Sequence, residues 1–389
     1  MTEPQTRSVD PRQDTKAARR ARIDAARLDL AAATERGEGG RLALRQYSLR
    51  MDAVVQQLFA EAGPLAQPVG VFALGGYGRR QLCLHSDIDL LILFAGEISP
   101  ADERFLHGFL NPIWDLGLSI GHHVREVTDG SRLADDNSEF LLALTDARAV
   151  VGDATLLDQF TGATDHSRTA IRTLDALKGL IVDRHARFND TFYQLEPDLK
   201  ESPGGLRDLF GAQTIAKLTD PALLSQGGSP MRALDDAEEF LLRVRSILHL
   251  EAKRHHNVLS HEMQERAAER LGYTGSTVRS RVERLMSDYF RHARAVDRSL
   301  RWALRAAPTP IGANLVRADD GIRFVDVRAA ADRPETWLSV FQAAIDAGCA
   351  VSEQALACVQ QNAGRFKPEQ FCPTTGHRDA LLRFLTPKL

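Results

Sequence analysis

Long apolar runs are missing from this 389-residue chain, and no stretch reaches the roughly 20 residues a membrane-spanning helix needs. The polar N-terminus also lacks the hydrophobic centre of a signal peptide, so the chain reads as cytoplasmic. Cysteine is scarce. The four present, Cys83, Cys349, Cys358 and Cys372, include no Cys-x-x-Cys pair and no zinc spacing, which fits free thiols in a reducing compartment. A broad basic surface is absent too: the formal charge is −3, which argues against a nucleic-acid polymerase and leaves room for a local basic site. No fixed-period repeat or long low-complexity tract occurs. What remains is 43% hydrophobic residues over a length sufficient for two or three domains.

The most informative stretch is VGVFALGGYGRRQLCLHSDIDLLILF, residues 69–94. Its first run, residues 69–74, is β-branched and aromatic-rich and lies between Gly63, Pro64 and Pro68 and the Gly75-Gly76 doublet, which predicts a buried strand. A second strand is expected over residues 87–94. Side chains alternate along a strand, so Asp87 and Asp89 share one face while Ile88 and Leu90 enter the core. Two carboxylates on one face suit Mg²⁺, which takes hard oxygen ligands and keeps positions open for phosphate. Gly75, Gly76 and Gly78 leave backbone N–H groups accessible as a phosphate cradle. The blander reading is a solvated carboxylate pair at a sheet edge beside an ordinary turn.

The order hydrophobic-Gly-Gly, about ten residues, then Asp-hydrophobic-Asp-hydrophobic resembles the polymerase-β-type nucleotidyltransferases. Within them GGYGRRQL and HSDIDLL resemble the protein-PII uridylyltransferases, and three further stretches in family order do the same: WDLGLSIGHHVR (114–125), LEPDLKESPGGLRDL (195–209) and EMQERAAERLGY (262–273). Gln81 stands where that pattern has Glu, and Leu84 where it has Pro.

The resemblance implies a Mg²⁺-dependent nucleotidyltransferase that moves a uridylyl group from UTP to a tyrosine of a PII nitrogen-regulatory signalling protein, with Asp87 and Asp89 as catalytic metal ligands. Adenylyl transfer to glutamine synthetase and a non-catalytic nucleotide-binding regulatory module are the alternatives. Gly75, Gly76, Arg79, Arg80, Ser86, Lys200 and Arg207 are the nucleotide-binding candidates. Arg79 and Arg80 follow the glycine turn, where a guanidinium would neutralise departing pyrophosphate. Ser86 serves a phosphate or caps its own turn. Lys200 and Arg207 flank a Pro203-Gly204-Gly205 turn before a helix start, suited to anions; a buried structural turn with Arg207 on a local carboxylate is the other reading.

A third acidic ligand is not evident. The expected strand 118–127 carries Ser119, Gly121 and His123 on one face and His122 and Glu126 on the other, so Glu126, Asp208, a histidine or nothing completes the shell. Asp89 or Asp208 is the candidate base for a tyrosine hydroxyl, whose ordinary pKa is near 10. His249, His255, His256 and His261 fit no common zinc spacing and read as solvated or core residues.

The expected fold is α+β, a polymerase-β-like mixed sheet with helices followed by an all-helical bundle. We expect a polar, disordered tail over 1–13, helices over 15–38 and 41–62 with Leu42, Tyr47, Met51, Val54, Val55 and Leu58 on one stripe, and a nucleotidyltransferase domain over 64–152. That domain holds helices near 100–116 and 137–146 and strands at 118–127 and 147–151. A bundle follows over 153–320, clearest at 274–304, where Val278, Val282, Leu285, Tyr289, Ala293, Val296 and Leu300 recur at helical steps. Residues 321–389 are expected to hold a small strand or hairpin near 321–327 and further helices, with Pro368 and Pro373 in loops. In the resembled family a phosphohydrolase and two regulatory domains follow; no His-Asp doublet is present here, so the chain reads as the front of a longer protein.

Overall fold

The computed structural model of the protein describes residues 11–135, 137–162, 166–219, 230–312, 314–318, 320–371 and 373–385. Cys372 and all but the last three residues of the expected disordered tail lie outside them. Two helices open the chain, α1 (Pro11–Glu35) and α2 (Arg41–Glu61). Five of the six expected stripe residues of α2 are buried, because steps of three and four keep them on one face; Leu42 is instead exposed.

The sheet module contains β1 (Val69–Ala73), the single-turn helix α3 (Gly75–Gly78), β2 (Ile88–Phe94), α4 (Pro100–Asp115), β3 (Ile120–Glu126), a 3₁₀ segment Val127–Asp135, α5 (Ser138–Leu144), β4 (Arg148–Gly152) and α6 (Thr155–Gly162). Strand order is β3-β2-β1-β4, with β2 parallel to β3 and the other two pairings antiparallel, so the sheet is mixed. α4 starts where Ser99 and Asp102 form a capping box around Pro100. Every residue of β1 is buried, since helices cover both faces. Ile88, Leu90, Ile92 and Phe94 join the main core with α2 and α4, while Leu91 and Leu93 meet Phe140, Leu156 and Phe160 on the opposite face. Leu156 and Phe160 belong to α6, which lies past residue 153 in sequence and still packs on the sheet.

The bundle follows as α7 (His166–Ala186), α8 (Leu206–Thr219), α9 (Leu234–Ala252), α10 (His261–Arg270) and α11 (Val278–Ala306). Leu285, Tyr289, Ala293, Val296 and Leu300 of α11 are buried, as their spacing predicts; Val278 is exposed at the helix start. The main core runs without a break from α1 and α2 through one sheet face into α8–α11.

A second sheet is larger than the single strand or hairpin expected. It has three antiparallel strands, β5 (Thr309–Gly312), β6 (Leu315–Ala318) and β7 (Gly321–Phe324). It is followed by α12 (Val327–Ala331), α13 (Trp337–Ala347), α14 (Glu353–Asn362), α15 (Pro368–Phe371) and α16 (Thr375–Leu385), and Trp337 centres this small core. Pro368 opens α15 instead of lying in a loop, as a first-turn proline can. Among the described residues no helix is long and apolar enough to cross a membrane.

Candidate active site

β2 begins at Ile88, so Asp87 enters it and Asp89 is its second residue. Alternation sends both carboxylates into a cavity of about 630 Å³ between the sheet module and the bundle. Burial, then the Asp87 charge, pushes the Asp89 carboxyl above its usual range, opposed by Lys200 and Arg79. Two adjacent oxygen donors under mutual repulsion fit a divalent cation, with phosphate oxygens taking the open positions.

The glycine turn is a real helical turn. Leu74 N donates to Asp89 O at 2.9 Å, tying the end of β1 to the carboxylate strand, and Gly75 and Gly76 both line the cavity. Their amides open α3, where a helix's first N–H groups have no intrahelical acceptor. A Cβ on Gly76 would meet nothing within 4 Å, whereas one on Gly78 would lie 2.1 Å from Asp146 O. Gly76 therefore leaves room for a ligand and Gly78 for the chain itself.

The two arginines after the turn part company. Arg79 lines the cavity, with its guanidinium carbon 3.7 Å from the Phe210 ring centroid and Nη1 donating to Asp146, which also accepts from Lys217 Nζ at 3.1 Å. Arg80 has a left-handed φ of 59° and is not among the lining residues. Ser86 closes its own turn: its Oγ accepts from Cys83 N at 3.2 Å while it also lines the cavity.

Lys200 and Arg207 both reach the cavity from the bundle side, on the turn the sequence marks. Asp198 Oδ1 accepts from the amides of Lys200 and Glu201, each at 2.8 Å. Gly204 sits at φ +76°, close against Ala293 of α11. Arg207 Nε lies 2.8 Å from Glu201 Oε1 in an ion pair, so its charge is locally paired. Lys200 has no such pair among the described residues; burial, then the charges of Arg207 and Arg245, pulls its ammonium pKa down.

The third-ligand candidates do not join the pair. Asp208 is fully buried and accepts from Arg184 Nη2 (2.5 Å), His185 Nε2 (2.9 Å) and Gly204 N (2.6 Å), which makes it an anchor of the turn and removes it as a base. Glu126 pairs with Phe94 at the far end of β3 and accepts from Ile98 N at 3.0 Å and the Thr128 hydroxyl at 3.3 Å. His122 is exposed against Trp114, and the His123 ring lies tilted against Phe140 with centroids 4.6 Å apart; neither lines the cavity. Gly121 lies in register beside Asp89, and a Cβ there would fall 2.6 Å from Asp89 Oδ1. The Ile88 N to Ser119 O bond of 2.9 Å extends the register, so Ser119 stands beside Asp87. Among the described residues no cluster of three His, Cys, Asp or Glu could hold a metal by itself.

Two cavity residues have no motif to announce them. Arg245 of α9 and His255 in the loop after it line the site. His249, one turn on from Arg245, is buried; burial, then Arg245 and His255, pushes it down to about 2, so it is neutral. Its ring lies between His85 (centroids 6.3 Å) and His255 (5.2 Å). The signal in sequence is the Arg-x-x-x-His step on a helix, which also describes a plain core face.

Residues 178–304, which hold the C-terminal part of α7, all of α8–α10 and α11 up to its last two residues, match the family model described as GlnD PII-uridylyltransferase. A bifunctional uridylyltransferase/uridylyl-removing enzyme of Thiobacillus denitrificans is 33% identical over 332 residues, covering 82% of this chain. The chain belongs to the PII-uridylyltransferase family. Family relatives carrying the same description in Burkholderia vietnamiensis and Photobacterium profundum are each 34% identical, over 72% and 59% of the chain. The chain spans 39%, 33% and 27% of the length of these three uridylyltransferases. The family model falls on the bundle wall of the cavity, while Asp87 and Asp89 lie outside it on the sheet wall.

Proposed function

We propose that this cavity binds UTP and transfers its uridylyl group to a tyrosine of a PII-type signalling protein, releasing pyrophosphate. The observation that carries the reading is the facing of Asp87 and Asp89 across one cavity from the lysine of the Lys-x-x-x-Gly-Gly turn, in a chain of this family. Asp87 and Asp89 would hold Mg²⁺, which supplies charge neutralisation of the triphosphate and a more acidic incoming hydroxyl. The chain's own groups do the remaining work. The Gly75 and Gly76 amides face the phosphates, and Arg79, stacked on Phe210, closes the cavity floor. The phenolic oxygen bonds to the α-phosphorus in line with the breaking bond to the β-phosphate, and pyrophosphate leaves with that electron pair. With Asp208 committed to its turn, Asp89 is the remaining one of the two candidate carboxylates for taking the phenolic proton.

Incubation with α-labelled UTP, Mg²⁺ and PII protein is expected to label PII, and the Asp87→Asn/Asp89→Asn double variant to label none while keeping its melting temperature. Persistent labelling by the double variant would sink the assignment. Parallel reactions with ATP and glutamine synthetase separate uridylyl from adenylyl transfer. The absence of a carboxylate at Ser119 and Gly121 favours a second reading, a nucleotide-binding regulatory module. Calorimetric UTP binding without pyrophosphate release in the presence of PII would select it.

A further inference from the structure

The cavity holds six cationic side chains, and they fall into two kinds. Arg79, Arg184 and Arg207 are tied to Asp146, Asp208 and Glu201. Arg187 is exposed. Lys200 and Arg245 are half-buried and, among the described residues, neither has a carboxylate within ion-pair distance. Arg245 is nevertheless held firmly. Its Nε donates to Asn257 Oδ1 at 2.9 Å, while Nη1 reaches Cys83 Sγ and Nη2 reaches Ser86 Oγ, each at 3.5 Å. Its helix neighbours Val244 and Ser246 are buried, and Ser246 Oγ donates to Gly39 O at 2.7 Å.

Among the described residues both cations line one cavity without a direct ion-pair partner, with the Glu201 and Asp89 charges acting on Lys200 only from beyond that distance, so a multiply charged anion would find both open to it. The neutral His249 behind Arg245 adds no charge of its own. We propose that Arg245 and Lys200 form the pyrophosphate grip of the site, receiving the β- and γ-phosphates across the cavity from the sheet wall that carries Asp87 and Asp89. Arg245 acts from the bundle on Ser86, the residue before Asp87, so the anion and the carboxylate strand share one anchor. This rests on the nucleotide reading above and adds the residue that distinguishes a triphosphate from a monophosphate.

The test uses the full chain with Mg²⁺ and calorimetric titration of inorganic pyrophosphate, UTP and UMP, comparing the unmodified chain with Arg245→Gln, Lys200→Gln and Arg245→Lys. Each Gln variant is expected to weaken pyrophosphate and UTP binding roughly tenfold or more, as loss of a charge-assisted phosphate contact does. UMP binding should stay within about twofold, and Arg245→Lys should recover part of the loss. Unchanged UTP and pyrophosphate affinity in both Gln variants overturns the proposal, as does an equal loss for UMP. If the unmodified chain binds pyrophosphate through these residues but not UTP, the grip stands and the nucleotide reading falls. If it binds neither, both fall.

Discussion

Three aspartates near the cavity show how one side chain takes different work from its surroundings. Asp87 is exposed, Asp89 is half-buried beside it, and Asp208 is wholly enclosed. Burial alone would push the Asp208 carboxyl up, but the His185 hydrogen bond and the Arg184 and His185 charges outweigh it and hold it below its usual range. A depressed folded-state pKa contributes stability above the ordinary carboxylate value and loses it as pH falls through the lowered one. Asp208→Asn should therefore cost about 3 kcal/mol at neutral pH by stranding Arg184, with the deficit shrinking in acid. Urea denaturation at pH 7 and at pH 3–4 checks this; loss of turnover with stability intact would restore Asp208 as a base. The sequence marked Asp87 and Asp89 through their two-residue step. It could not separate Asp208 from them, because only packing tells an enclosed carboxylate from an open one.

At the scale of elements, short backbone segments position the site. The Lys-x-x-x-Gly-Gly turn depends on Gly204, whose φ of +76° and approach to Ala293 leave no place for a side chain. Gly204→Ala is expected to cost at least about 1–2 kcal/mol and to weaken nucleotide binding, read as a lowered melting temperature and a raised KM for UTP. This turn was legible from its Pro-Gly-Gly text, and the two strands from their apolar runs. The three-stranded sheet was legible only at β7: Pro310 and Gly312 interrupt β5, every β5 residue is exposed, and alternation cannot show in four residues. α3 reads as a turn in sequence because a single helical turn has no period to detect.

Across the whole molecule, the sheet module and the bundle are joined by a polar seam as well as a shared core. Gln81 donates to Glu238, Arg79 and Lys217 meet on Asp146, and Arg41 reaches Glu238 at 3.5 Å. Burial pushes the Glu238 carboxyl up despite Gln81 and Arg41. Gln81 stands where the family pattern has Glu, and here its amide supplies the proton a second carboxylate would lack. Gln81→Glu should thus destabilise the chain by on the order of 1–2 kcal/mol at pH 8, with much of the loss recovered near pH 5, where the pair shares a proton. Melting curves at the two pH values decide it; a pH-independent loss would point to packing. Sequence pattern placed the two halves in order, but the seam brings together residues more than 150 positions apart, and no local pattern records that.

Cys83 gives the seam a clock. Its thiol is 1% exposed in the sheet module, with Arg245 of the bundle 3.5 Å away, so a thiol reagent reaches it only when the halves part. With the other cysteines replaced, the alkylation rate of Cys83 counts openings of the closed molecule directly. A ligand that bridges both walls should slow that count in proportion to how tightly it staples them, whether or not any chemistry follows.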